Sequence, residues 1–159
     1  NFFFFLTLAK VLIDKESPFL KSIVLNKGSK DFIKIGMAIM DGPYLIGKII
    51  EINYTNSRAL LLSDLNSKIP VMLLPDRIQA VVSGTGENHG VIEYTKEKIE
   101  NKINQKDRII YTSGFAGLFK SGIPVGKMFK NSNGRIDFFS NFTQLEYVKI
   151  VSFDMESQK

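Results

Sequence analysis

Gly36-Met37-Ala38-Ile39-Met40-Asp41-Gly42-Pro43-Tyr44-Leu45-Ile46-Gly47-Lys48-Ile49-Ile50-Glu51-Ile52 is the stretch on which the fold turns. Two apolar runs meet at Asp41-Gly42, a strong hairpin signal, because glycine reaches positive φ with no Cβ to clash. Working outward, the same unit recurs. Ile23-Val24-Leu25 runs into an Asn26-Lys27-Gly28 turn, Ala59 to Leu62 and Ile69 to Leu74 are continuous apolar runs, and Ile78 to Ser83 ends at Gly84-Thr85-Gly86. Short apolar runs bounded by Gly, Pro and Asp predict strands. Pro70 confines its run to a sheet edge or a strand start, since proline cannot donate to a ladder.

The second half keeps the rhythm. Val91 to Tyr94 reads as a strand, Arg108 to Tyr111 ends at Thr112-Ser113-Gly114, Val125 to Phe129 follows a Gly122-Ile123-Pro124 turn, and Leu145 to Phe153 alternates to the end. Helix is expected only near Ser17 to Leu20 and over Thr95 to Gln105, where Ile99 and Ile103 stand four apart among charges. Gly47-Lys48-Ile49 and Gly126-Lys127-Met128, each opening an apolar run after a glycine turn, are a weak internal repeat. Near-regular short strands with glycine corners predict one or two small closed or half-closed β-barrels. A soft boundary falls at residues 84 to 90.

The amino end, Phe2 to Ala9, is the most apolar stretch, but Lys10 interrupts it and Asp14 closes it. A membrane helix needs about 20 apolar residues, and a signal peptide needs a basic start and a small-residue cleavage site. A strand from Leu6 to Ile13 fits better. The 159 residues contain no cysteine and one histidine, His89, so a thiolate metal site is excluded and a zinc centre has too few ligands. No cofactor is expected. The formal charge of +5 invites nucleic acid or an anionic membrane. Scattered lysines and only four arginines (Arg58, Arg77, Arg108, Arg135) argue against nucleic acid, and the Ile, Asn, Lys and Phe content is what an AT-rich genome imposes.

A double barrel is also the framework of serine hydrolases, so Ser113 with His89 is the pair to weigh. Ser113 lacks a glycine-framed nucleophile motif, and His89 reads as part of an exposed loop, so the chain is expected to be inert. Gly84-Thr85-Gly86 lacks the lysine and the following helix of a phosphate cradle. Asp41, Asp64 and Asp76 lack the spacing of a calcium loop and read as turn formers. The thirteen phenylalanines raise a stacking platform for single-stranded nucleic acid, against which core packing is the favoured use.

The ordered set Asn26-Lys27-Gly28-Ser29-Lys30-Asp31, Ile35-Gly36-Met37, Asp41-Gly42, Leu45-Ile46-Gly47-Lys48-Ile49, Asn56 to Asp64 and Asn66 to Val71 resembles the rod-shape-determining MreC family. The resemblance continues through Gly84-Thr85-Gly86, Asp107 to Gly114, Gly117-Leu118-Phe119 and Gly122 to Gly126, covering roughly residues 9 to 153. It implies an all-β fold of two small six-stranded barrels in tandem with little helix. The barrels are expected at 1–86 and 87–159, with strands free to exchange between the halves. Phe32, Lys120 and the additional Pro43 depart from the family pattern. Pro43 is expected to lengthen or bend its hairpin.

The family implies a non-enzymatic scaffold of the complex that builds lateral cell-wall peptidoglycan, on the periplasmic face of the bacterial inner membrane. Its implied partners are a class B penicillin-binding transpeptidase, MreD and MreB, the last two through parts outside this chain, and further copies of itself. Membrane attachment is implied through an upstream helix alone, and no nucleic acid. Tyr44 and Tyr54 are the candidate partner contacts, since tyrosine is enriched at interface centres. Gly28, Gly36, Gly42, Gly47, Gly114, Gly122 and Gly126 are candidate structural turn residues, with positive φ expected at Gly42, Gly114 and Gly126. A small β-barrel RNA-binding or translation-associated module is the alternative, separable by salt-dependent binding to single-stranded nucleic acid.

Overall fold

A computed structural model describes residues 2–12, 21–95, 100–115 and 119–155. The apolar runs become β1 (Phe2–Leu12), β2 (Ser22–Leu25), β3 (Ala38–Asp41), β4 (Tyr44–Ile52), β5 (Ser57–Leu61), β6 (Lys68–Leu74) and β7 (Ile78–Gly84). The second half supplies β8 (His89–Thr95), β9 (Arg108–Thr112), β10 (Pro124–Met128), β11 (Arg135–Phe138) and β12 (Tyr147–Met155). The α-helix among the described residues is α1, Glu100–Ile103, with 3₁₀ turns at Ser29–Asp31 and Phe142–Gln144. Of the helix expected over Thr95 to Gln105, Glu100–Ile103 is helical among the described residues, while Thr95 ends β8. Residues 96–99 lie outside the described residues, as do Ser17 to Leu20 and Ile13.

Each compact unit is a closed six-stranded barrel. Barrel 1 runs β1-β12-β3-β4-β5-β2 and barrel 2 runs β7-β6-β9-β10-β11-β8, each closing on its first strand. Substituting β7 for β1, β6 for β12 and so on turns one order into the other. The chain is therefore two like halves, β1–β6 and β7–β12, whose sixth strands have traded barrels. Gly47 and Gly126 fall on the matched strands β4 and β10, and the traded strands open at Lys68 and Tyr147, with the same spacing as the two glycines. As a result the units are 1–61 with 142–159, and 62–141; the chain leaves barrel 1 at Leu61 and not near residue 86.

Alternation explains the cores. In β6, Ile69, Val71 and Leu73 point inward; in β9, Arg108, Ile110 and Thr112 do so. Barrel 1 closes over Ala9, Leu25, Ile39, Ile46, Ile49, Ala59, Val148 and Ile150, and Ile33 plugs one end. Aliphatic side chains fill both barrels. Among Phe5 and the described phenylalanines after it Phe119 is the buried one, while Phe5 and Phe142 pack, partly buried, against the core of barrel 1, so phenylalanine borders the core more than it fills it. Pro70 sits before β6 begins to pair with β9 at Val71, where no ladder donor is needed.

The hairpin keeps a two-residue turn, Gly42-Pro43, with Asp41 opposite Tyr44. The irregularity lies further along, where Ile39 faces Gly47 and Met40 faces Leu45, so β4 carries one additional residue as a bulge. Gly42 (φ 58) and Gly114 (φ 75) have the expected positive φ, as do Gly36 and Gly122. Gly126 does not, and neither do Gly28 and Gly47. At those three positions glycine answers to space. A Cβ would stand 2.5 Å from the Asp137 carbonyl oxygen at Gly126, and 2.3 Å from that of Leu60 at Gly47 or Asn53 at Gly28.

Candidate functional site

Ser113 and His89 are not brought together. His89 opens β8 and is half-buried, so it is no loop residue, because the trading of β6 extends barrel 2 through this segment. Ser113 follows β9, and β8 and β9 are three strands apart in either direction around barrel 2. The Ser113 Oγ accepts the Phe115 N–H at 3.2 Å, a turn-forming use. Among the described residues no group of three or more His, Asp or Glu side chains is placed to hold a metal ion. Gly84 ends β7, and the Thr85 hydroxyl donates to the His89 carbonyl at 2.8 Å, so the glycine loop is closed on itself. Asp64 is buried and accepts the Asn66 N–H at 2.8 Å, again a turn.

Another serine does meet a lysine. Lys68 Nζ lies 3.0 Å from Ser83 Oγ and 2.5 Å from Glu93 Oε2, and the Ser83 hydroxyl donates to the same carboxylate. A serine–lysine nucleophile needs a neutral amine. Here the Lys68 amine is bonded to the Glu93 carboxylate as well as to Ser83. The Lys68 hydrogen bond, followed by that of Ser83, keeps the Glu93 carboxyl below its ordinary value. The trio is a cross-strand tie joining β6, β7 and β8. Asp76 is lowered in the same sense, first by Lys106 and then by Arg108, against the opposing effect of burial.

A carboxyl depressed in the folded state stabilises above its unfolded value, and that stabilisation is lost as pH falls through the folded one. Thermal stability is therefore expected to fall as pH drops below about 4, the ordinary carboxylate range. Asp76→Asn with Glu93→Gln should flatten that acid limb. An unchanged acid limb in the double variant, followed by circular dichroism, would rule these two groups out as its source.

The surface carries exposed apolar side chains. Tyr54 is 70% exposed in the Asn53-to-Asn56 turn between β4 and β5, whereas Tyr44 is half-buried at the start of β4. The length of β4 puts them at opposite ends of barrel 1, roughly 30 Å apart, so they do not form one compact anchor. Sequence reasoning passed over the neighbours of Tyr54. Phe32 is 74% exposed and Ile35 63% exposed, in the loop that leads from β2 to β3. Phe32 has left-handed backbone, φ 67, a conformation that costs a non-glycine residue about 1 kcal/mol. A phenylalanine where the backbone wants glycine was the available signal.

That loop is tied to the Tyr54 turn. Ser29 N–H donates to the Asn53 carbonyl at 2.9 Å and Lys30 N–H to the Tyr54 carbonyl at 3.1 Å, while Asp31 accepts the Gly28 N–H at 3.0 Å. Gly28 permits the approach. Phe32, Ile35 and Tyr54 thus stand on one end of barrel 1, above the Ile33 plug.

The family model for "Rod shape-determining protein MreC, barrel core" matches residues 11–152. The cell shape-determining protein MreC of Cereibacter sphaeroides is 32% identical over 143 residues, 89% of this chain and 47% of that protein. The chain spans about half the length of the curated relatives it matches. Among solved structures, MreC from Pseudomonas aeruginosa has the same fold, with TM-score 0.75 and 22% identity over 91% of this chain and 97% of that one. A chain from the complex between the penicillin-binding protein PBP2 and MreC of Helicobacter pylori also shares it, with TM-score 0.62 and 13% identity over 92% and 98%. No described helix is long and apolar enough to cross a membrane. The family match enters in β1 and leaves in β12, taking in both barrels and the strands they trade: the chain belongs to the MreC family of rod shape-determining proteins.

Proposed function

We propose that this chain is a non-enzymatic scaffold of the cell-wall elongation complex that maintains rod shape by binding a class B penicillin-binding transpeptidase. The family match over residues 11–152 carries the reading. The fold shared with a chain solved in a complex of PBP2 and MreC supports it. So do exposed apolar side chains on a body whose serine and histidine candidates stand apart. The site of action is the periplasmic face of the inner membrane. MreD and MreB are engaged through other parts of the protein, and copies of the chain associate with one another.

Tyr44 and Tyr54 are proposed as separate contacts for the transpeptidase. An interface anchor costs about 2 kcal/mol on truncation, roughly 30-fold in Kd. Titration of the chain against the periplasmic part of the cognate transpeptidase should give saturable binding, weakened independently by Tyr44→Ala and Tyr54→Ala because the residues are far apart. No transpeptidase binding, together with tight salt-dependent binding to an RNA oligomer, would replace this reading by the nucleic-acid one.

A further inference from the structure

The geometry points to a second ligand, beyond the transpeptidase: the end of barrel 1 that carries Phe32, Ile35 and Tyr54 is a docking surface for an anionic phospholipid bilayer. Three observations converge there. The three side chains, all on loops, are each about two-thirds exposed. Residues 27–36 hold Lys27, Lys30 and Lys34 against one carboxylate, Asp31, which is already bonded to the Gly28 N–H. The turn opposite, Asn53-Tyr54-Thr55-Asn56, carries no charge, and Glu51, toward the same end of β4, faces Arg58 at 3.9 Å.

Projecting aromatic and aliphatic tips with lysines beside them match the layered chemistry of a bilayer surface. Tyrosine and phenylalanine settle at the headgroup boundary, and lysines snorkel toward lipid phosphates. The backbone favours the same view. Phe32 keeps a left-handed conformation that glycine would hold at no cost, so the ring is retained against its local preference. The loop is also held ready, since the hydrogen bonds to Asn53 and Tyr54 fix it before any ligand arrives.

The chain contains no tryptophan, so Phe32→Trp supplies a reporter at the tip. On phosphatidylglycerol-rich vesicles its emission should shift to the blue and be quenched by brominated acyl chains. The shift should weaken on pure phosphatidylcholine vesicles and as salt rises, because lysine attraction is screened. In vesicle co-sedimentation of the 159-residue chain, reversing Lys30 and Lys34 to glutamate should lower partitioning by at least about 25-fold, from about fivefold per lysine removed. Phe32→Gly should lower it by about tenfold through the lost ring. Glycine suits the backbone there, so this variant should keep its urea midpoint and test the contact apart from folding. No partitioning of the unmodified chain, or partitioning indifferent to both variants, would overturn the proposal. Loss of transpeptidase binding in Phe32→Gly, with vesicle binding unchanged, would assign this end to the protein partner.

Discussion

Arg108→Ala is expected to lower the unfolding free energy by about 3–5 kcal/mol, the usual consequence of removing one partner from a buried ion pair. Arg108 opens β9 on its inward face and is 1% exposed, the largest fully buried side chain described. Nη2 lies 2.5 Å from Asp76 Oδ2 and 3.0 Å from the Lys102 carbonyl, and Nη1 lies 3.3 Å from the carbonyls of Ile103 and Lys106. One guanidinium thus ties the last turn of α1 and the loop after it to the turn that begins β7. Alanine would leave three carbonyls without their donor and Asp76 without the guanidinium, though still bonded to Lys106, over a cavity.

Arg108 Nε makes no hydrogen bond, so the arrangement is specific without being ideal. Replacing both partners, Arg108→Met with Asp76→Leu, should recover only the part of the loss that comes from the cavity and the missing ion pair, because the three carbonyls still lack their donor. Urea unfolding of the two variants decides the matter. A loss below about 1 kcal/mol for Arg108→Ala would show that the cluster is dispensable.

Gly47→Ala and Gly126→Ala should each cost about 2–3 kcal/mol, the upper range for forcing an atom into a packed core. The atom struck is backbone in each case, Leu60 oxygen at 2.3 Å or Asp137 oxygen at 2.5 Å, so no side chain can swing aside. A ladder must open instead. Gly42 provides the contrast: its turn is in open space, and alanine there meets only the penalty of positive φ, about 1 kcal/mol. Thermal unfolding of the three variants should rank Gly42 clearly mildest. Equal losses at all three would mean that conformation, not space, governs Gly47 and Gly126.

Local chemistry made most of the strands legible. Gly42 with Pro43 can do little but turn, and short continuous apolar runs such as Ile69 to Leu74, bounded by turn residues, read as strands. The spacing of Gly47 and Gly126 even marked matched strands before any pairing was known. β11 was missed because Arg135-Ile136-Asp137-Phe138 is short and half charged, and becomes a strand by lying between β8 and β10. The boundary near residue 86 was drawn where the turns are strongest. Which barrel receives β6 and β12 depends instead on ladders spanning much of the chain, and local signals do not encode them.

Surface and interior divided in the same way. That Phe32 and Tyr54 are aromatic, and that lysines flank Phe32, is written in the chain. That the two residues share one exposed end, and that His89 and Ser113 sit on opposite walls of barrel 2, follows only from closure. Closure also placed Arg108 inside, because register decides which of two alternating faces is buried, and a shift of one residue would have put the guanidinium in water. Most of the strands, the turns, the single histidine and the lack of cysteine are legible in the chain itself. The tertiary structure decided their neighbours, since pairing over long separations is a property of the whole chain and not of any segment.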